Sequence, residues 1–152
     1  MIKYKKGDIL NATEDMICHQ VNVEGIMGGG LAYQIANAYP NVEETYKEYC
    51  KDYNYDYENL NGKSISVKTD KYWITNCFTQ KLNFDTDYEA IKKCFKELLE
   101  YCKKENLTIA VPYKYGCGIA KGNWEEVETI FRSLSGIYDI DISIYRLEGN
   151  NE

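Results

Sequence analysis

His19-Gln20-Val21-Asn22-Val23-Glu24-Gly25-Ile26-Met27-Gly28-Gly29-Gly30-Leu31-Ala32-Tyr33-Gln34-Ile35 reads as the end of an apolar strand, a loop with three consecutive glycines and the start of an amphipathic helix. Met16-Ile17-Cys18 extends the strand upstream, and Pro40 stops the helix. Glycine lets backbone N–H groups approach an anion closely, and a helix N-terminus adds about half a positive charge. The segment therefore has the makings of a phosphate cradle. A flexible strand-to-helix turn is the competing reading, since glycine-rich turns are common.

The same plan recurs once. Thr108-Ile109-Ala110-Val111-Pro112 is a short apolar strand, Tyr113 to Asn123 is a loop containing Gly116-Cys117-Gly118, and a helix follows from Trp124 to Leu134. In open α/β sheets ligands bind beyond the carboxyl ends of strands, and two such loops side by side would grip a diphosphate. Neither loop is Gly-x-x-x-x-Gly-Lys-Ser/Thr, which disfavours P-loop ATP hydrolysis. The dinucleotide fingerprint Gly-x-Gly-x-x-Gly followed by an acidic residue is also missing.

Around these segments lie further elements. Strands are expected at Ile2–Lys5, Ser64–Lys68, Tyr72–Phe78 and Ile140–Tyr145, and a helix from Val42 to Asp52. Tyr53–Tyr57 reads as connector, with a binding surface as the alternative. Thr86-Asp87-Tyr88-Glu89 reads as a capping box with threonine as the cap. The helix it opens carries Tyr88, Ile91, Phe95, Leu98, Leu99 and Cys102 on one face and ends near Glu105. Interleaved strands and helices without a repeat or boundary predict one α/β domain over residues 1–152, a three-layer sandwich with a largely parallel or mixed sheet.

Composition narrows the function classes. The net charge is −6 with charges scattered, so no Lys/Arg cluster is available to displace counterions from nucleic acid. Six cysteines form no Cys-x-x-Cys pair and only one histidine is present, which leaves no zinc site of familiar spacing and no metal expected. No signal peptide or apolar span of membrane length is seen, and the expectation is a cytoplasmic protein with free thiols and no membrane partner.

Gly7-Asp8-Ile9-Leu10, His19-Gln20-Val21-Asn22 with Met27-Gly28-Gly29-Gly30-Leu31-Ala32, then Val111-Pro112 and Gly116-Cys117-Gly118-Ile119, in this order over almost the whole chain, resemble a macrodomain. The run on to Tyr39-Pro40 is similar to the branch holding ADP-ribose-1″-phosphate phosphatase and the terminal ADP-ribose-protein glycohydrolases, with the DNA-ADP-ribose-removing antitoxins nearby. The resemblance implies an α/β/α macrodomain sandwich with a mixed central sheet. It also implies an ADP-ribose cleft that needs no cofactor.

By that resemblance Asp8 accepts from the adenine amino group and Ile9 offers its backbone N–H. Asn22, Gly25, Met27, Gly28, Gly29, Gly30 and Leu31 embrace the distal ribose and diphosphate. Gly116, Cys117, Gly118, Ile119 and Ala120 form the second phosphate loop. Tyr145 is a candidate for stacking on adenine, with a buried or merely exposed tyrosine as the alternative. Phe78-Thr79-Gln80-Lys81 resembles the glycohydrolase lysine motif and puts Lys81 at the attacking position. Ala120 stands where that branch has an assisting aspartate, a departure the antitoxin branch shares.

His19 matches a histidine of the phosphatase branch, and its ordinary pKa near neutrality suits acid or base work. A half-buried histidine bonded to backbone is the plainer reading. Cys117, between two glycines, reads as a small side chain fitting a crowded turn rather than a nucleophile. The expectation is a monomeric hydrolase removing a 1″-phosphate or an attached macromolecule (protein or nucleic acid) from the terminal ribose of ADP-ribose. The alternative is a non-catalytic ADP-ribose reader or a nucleotide-sequestering or signalling module.

Overall fold

Strands with alternating or fully apolar faces pair into one sheet. In the computed structural model, which describes residues 1–147, these are β1 (Ile2–Lys6), β2 (Met16–Val21), β3 (Ser64–Lys68), β4 (Trp73–Phe78), β5 (Ile109–Pro112) and β6 (Ile142–Arg146). Their order is β1-β6-β5-β2-β4-β3. Every pairing is parallel except β3 with β4, so the sheet is mixed.

Five helices cover it: α1 (Gly30–Ala38), α2 (Pro40–Asp52), α3 (Tyr57–Leu60), α4 (Tyr88–Glu105) and α5 (Trp124–Tyr138). The period-two geometry of β2 and β4 sorts their side chains between two cores. Met16, Cys18 and Cys77 face Ile91, Phe95 and Leu99 of α4 and Val127 and Phe131 of α5. Ile17, Val21, Ile74 and Phe78 face Ile35 of α1 and Val42, Tyr46 and Cys50 of α2. This is the expected three-layer α/β/α sandwich, and cysteines 18, 50, 77, 94 and 102 serve it as small buried hydrophobes.

Packing also anchors the site. Phe95, Tyr115 and Phe131 meet edge to face, with centroids 5.5, 5.6 and 4.8 Å apart, and so pin the loop after β5 to the core. Truncating Phe95 to alanine would cost about 3–5 kcal/mol and loosen that loop with it.

Several boundaries differ from expectation. Helix α2 begins at Pro40, because proline's fixed φ and missing N–H suit the first helical turn. The expected connector at Tyr53–Tyr57 ends in the short helix α3, capped by the Asp56 carboxylate. Helix α5 runs past Leu134 to Tyr138, and the last strand is Ile142–Arg146. The cap of α4 is Asp87, which accepts from Ala90 N at 3.1 Å, not Thr86. Thr86 is drawn away because its hydroxyl donates to the carbonyl of Gly116 in the facing loop.

Candidate functional site

Parallel pairing brings the carboxyl ends of β2, β5 and β4 to one edge of the sheet, and a cleft of about 500 Å³ opens there. One wall is Gly28, Gly29, Gly30, Leu31 and Ala32; the other is Pro112–Gly116 with Gly118, Ile119 and Ala120. The two loops touch: a Cβ on Gly29 would lie 3.0 Å from Ile119 Cδ1.

The first wall is a helix end without a side-chain cap. Gly29 is the N-cap of α1 and brings no side-chain acceptor, so first-turn amides are left for a ligand. Gly30 turns the chain into the helix at φ +56°, a conformation glycine adopts without the Cβ penalty. Behind this wall, Asn22 staples the loop: its Oδ1 accepts from the amides of Glu24 and Ile26 at 3.0 and 3.3 Å and from the Tyr46 hydroxyl at 2.8 Å. Its Nδ2 donates to the Ile26 carbonyl at 2.9 Å.

The second wall is braced from below. Gln20 Nε2 donates to the Thr79 carbonyl at 3.0 Å, Gln80 Nε2 donates to Gln20 Oε1 at 3.1 Å, and the Tyr115 and Thr79 hydroxyls share a 2.7 Å bond. Gly116, at φ +70°, fits over this brace only without a side chain: a Cβ there would meet Thr86 Oγ1 at 2.7 Å and Gln20 Nε2 at 2.9 Å. Lys114 brings the cation among the lining residues.

His19 lines the cleft but is 2% exposed. Its Nε2 lies 2.5 Å from Asn76 Oδ1 and its Nδ1 has no partner. Burial pushes its pKa down to about 4, outweighing the Asn76 hydrogen bond, so the ring is neutral near pH 7.

Of the sequence candidates, His19, Asn22, Gly28–Leu31, Gly116, Gly118, Ile119 and Ala120 come together in the cleft. Gly25 and Met27 lie behind the first wall, Met27 packed in the core with Val23. Cys117 turns its thiol to the Tyr115 carbonyl at 3.3 Å, and burial raises its pKa to about 11, opposed by Lys114. Such a thiol is no nucleophile at neutral pH.

Asp8 and Ile9 sit past the end of β1, further along the same edge, where the Asp8 carboxylate accepts from Leu10 N at 2.9 Å and Ile9 is buried. Tyr145 is not among the residues lining the cleft, and its hydroxyl donates to Glu14 Oε1 at 2.6 Å. Glu14 is buried and also holds Lys5. Burial pushes its carboxyl up, but hydrogen bonds from Lys5, Tyr145 and Ser143 together outweigh that and hold it below its ordinary range.

Lys81 is not brought to the cleft. It lines a separate cavity of about 360 Å³ with Asp87, Tyr88, Glu89, Lys92 and Glu126. Its chain neighbour Gln80 lines the cleft instead, together with Phe84. Sequence reading missed Gln20, Gln80, Phe84, Tyr113 and Lys114. Alternation along an extended segment was the available signal for Gln80, because adjacent side chains point opposite ways. No sequence signal marks Phe84.

Comparison with known proteins agrees with this geometry. Residues 18–131 match the model of the Macro domain family. The chain is 26% identical to ADP-ribose glycohydrolase OARD1 of Bos taurus over 148 residues, covering 96% of this chain and 91% of that one. It is 26% identical to ADP-ribose 1″-phosphate phosphatase of Lodderomyces elongisporus over 166 residues, covering 97% and 99%. Among solved structures, the macrodomain of Mycobacterium tuberculosis DarG superposes with a TM-score of 0.82 at 30% identity, covering 95% of this chain and 97% of that one.

Proposed function

The chain belongs to the Macro domain family, and from that premise we propose that its cleft binds ADP-ribose and that the protein hydrolyses a substituent from the distal ribose. The observation that carries this reading is the convergence of two glycine loops from neighbouring strands β2 and β5, with the uncapped end of α1 between them. Backbone amides and a helix N-terminus suit a diphosphate, and the net charge of −6 does not oppose it because Lys114 is the charged side chain of the lining.

Strand order supports one orientation of the ligand. Asp8 and Ile9 follow β1, the diphosphate loops follow β5 and β2, and Gln80 and Phe84 follow β4 on the far side. With adenine at Asp8, this order supports a distal ribose beside Asn22, His19 and the loop after β4. Hydrolysis adds water to the substituted centre and releases the substituent with a proton. The neutral His19 ring takes the proton from the attacking water at its unpartnered Nδ1 and passes it to the departing substituent, and amides of both loops offset negative charge as it develops.

A binding module without chemistry is the second reading, favoured by the placement of Lys81 outside the cleft and by Ala120. Calorimetry with ADP-ribose tests the first step. Product release from ADP-ribose 1″-phosphate and from ADP-ribosylated peptide and oligonucleotide tests the second. Binding without turnover on any of these selects the reader; absent binding rejects both.

A further inference from the structure

The loop joining β4 to α4 ends in an aromatic ring that stability alone does not account for. Phe84 lines the distal end of the cleft, is 40% exposed, and stands at φ +71°. A bulky side chain is rarely found in that region, where Cβ crowds the carbonyl. The loop holds it there: Lys81 N donates to the Asp85 carbonyl at 2.7 Å, Phe84 N to the Lys81 carbonyl at 2.9 Å, and Asp85 N to Asn83 Oδ1 at 3.1 Å. A Gln80–Thr86 bridge closes its base. Beside Phe84, Leu82 is 59% exposed. The outcome is a preformed loop that keeps the Phe84 ring partly in water at the cleft, with Leu82 exposed two positions before it.

We propose that the loop Lys81–Asp85 is the element that reads the group attached to the distal ribose, with Phe84 as the specificity-determining residue for polypeptide-linked ADP-ribose. This rests on the orientation of ADP-ribose given above. Covering Phe84 and Leu82 with the carbon-rich flank of a modified side chain recovers apolar burial that a phosphate dianion does not offer. Next to the ring, Gln80 favours the same choice. The Thr79 carbonyl can only accept, so Gln20 turns its Nε2 there and its Oε1 to Gln80 Nε2, which leaves Gln80 Oε1 as an unpaired acceptor. A phosphate dianion brings further acceptors to that wall, whereas a peptide amide brings a donor. Charge offers no draw for a nucleic-acid backbone: Lys81 and Asp85 cancel within the loop, and the chain carries −6 in all.

The test compares kcat/KM for a peptide bearing one ADP-ribose, an ADP-ribosylated oligonucleotide and ADP-ribose 1″-phosphate. Phe84→Ala should lower the peptide-to-phosphate ratio about tenfold, the size of one lost aromatic contact, and Phe84→Tyr should restore it. Circular dichroism confirms that each variant is folded. An equal loss on all substrates, no loss, a loss confined to the oligonucleotide, or failure of Phe84→Tyr to restore the ratio overturns the proposal. Absence of ADP-ribose binding by the unaltered protein would instead overturn the functional reading beneath it.

Discussion

His19 and Asn76 occupy paired positions on β2 and β4, and their side chains meet at 2.5 Å with neither exposed. Because the amide oxygen only accepts, Nε2 carries the proton and Nδ1 keeps its lone pair. This pair makes folding sensitive to acid. Unfolded, the ring takes a proton near its ordinary pKa of 6.5; folded, not until about 4. The unfolded state thus binds more protons between those values, so stability is intact above the upper one and is lost as pH falls toward the lower. The loss is about 3 kcal/mol. Chemical denaturation measured at a series of pH values, with His19→Gln as reference, should show a steeper acid decline in the unaltered protein. Parallel declines would contradict a neutral buried ring.

On the proposed mechanism the same protonation state governs turnover. With His19 neutral throughout, kcat should stay flat between about pH 6 and pH 8 instead of bending near the free-histidine value. His19→Ala should lower kcat by about a hundredfold or more, the scale of a lost acid–base group, with ADP-ribose affinity measured alongside. A kcat inflection near neutrality that vanishes in His19→Ala would show the ring to be more hydrated than its burial implies.

Gly116 offers a test of the second wall. Alanine there must keep φ +70° and push Thr86 and Gln20 aside. The left-handed backbone and the overpacking together should cost about 2–4 kcal/mol. Gly29→Ala is the contrast, since its nearest obstacle is the far end of the exposed Ile119 side chain. That variant should lose under about 1 kcal/mol while crowding the amides proposed to grip phosphate. Thermal melts and ADP-ribose calorimetry on both variants separate the effects, and a Gly116→Ala protein as stable as Gly29→Ala would refute the brace.

Periodicity was enough to read β2, β4 and α4, whose apolar positions repeat at the intervals their burial requires. The glycine loops are legible because Gly25, Gly30 and Gly116 stand at positive φ, where glycine carries no Cβ penalty. What escaped was set by tertiary partners. Thr86 has the spacing of a cap, yet Gly116 offers its hydroxyl a carbonyl, and Asp87 takes the cap instead. Lys81 and Gln80 differ by one position, and the side of the chain each faces depends on where the extended segment leaves β4. Tyr145 lies at a strand end, but a buried carboxylate 131 positions away in the chain, Glu14, claims its hydroxyl.

That last contact separates two roles for Tyr145. If its ring stacks on a base, Tyr145→Phe keeps the ring and leaves both affinity and stability in place. If its hydroxyl secures Glu14, and with it the segment from Asp8 to Asp15, the same change leaves a buried carboxylate short of a donor. A hydrogen bond to a charged group contributes about 2 kcal/mol, so Tyr145→Phe should lower the unfolding free energy by that much near neutral pH. Below the ordinary carboxylate range the difference should shrink, because Glu14 is held ionised in the fold and its stabilisation is lost as it protonates. Urea denaturation of both proteins at neutral and acid pH measures this directly, and identical midpoints at neutral pH would return Tyr145 to the base-stacking role.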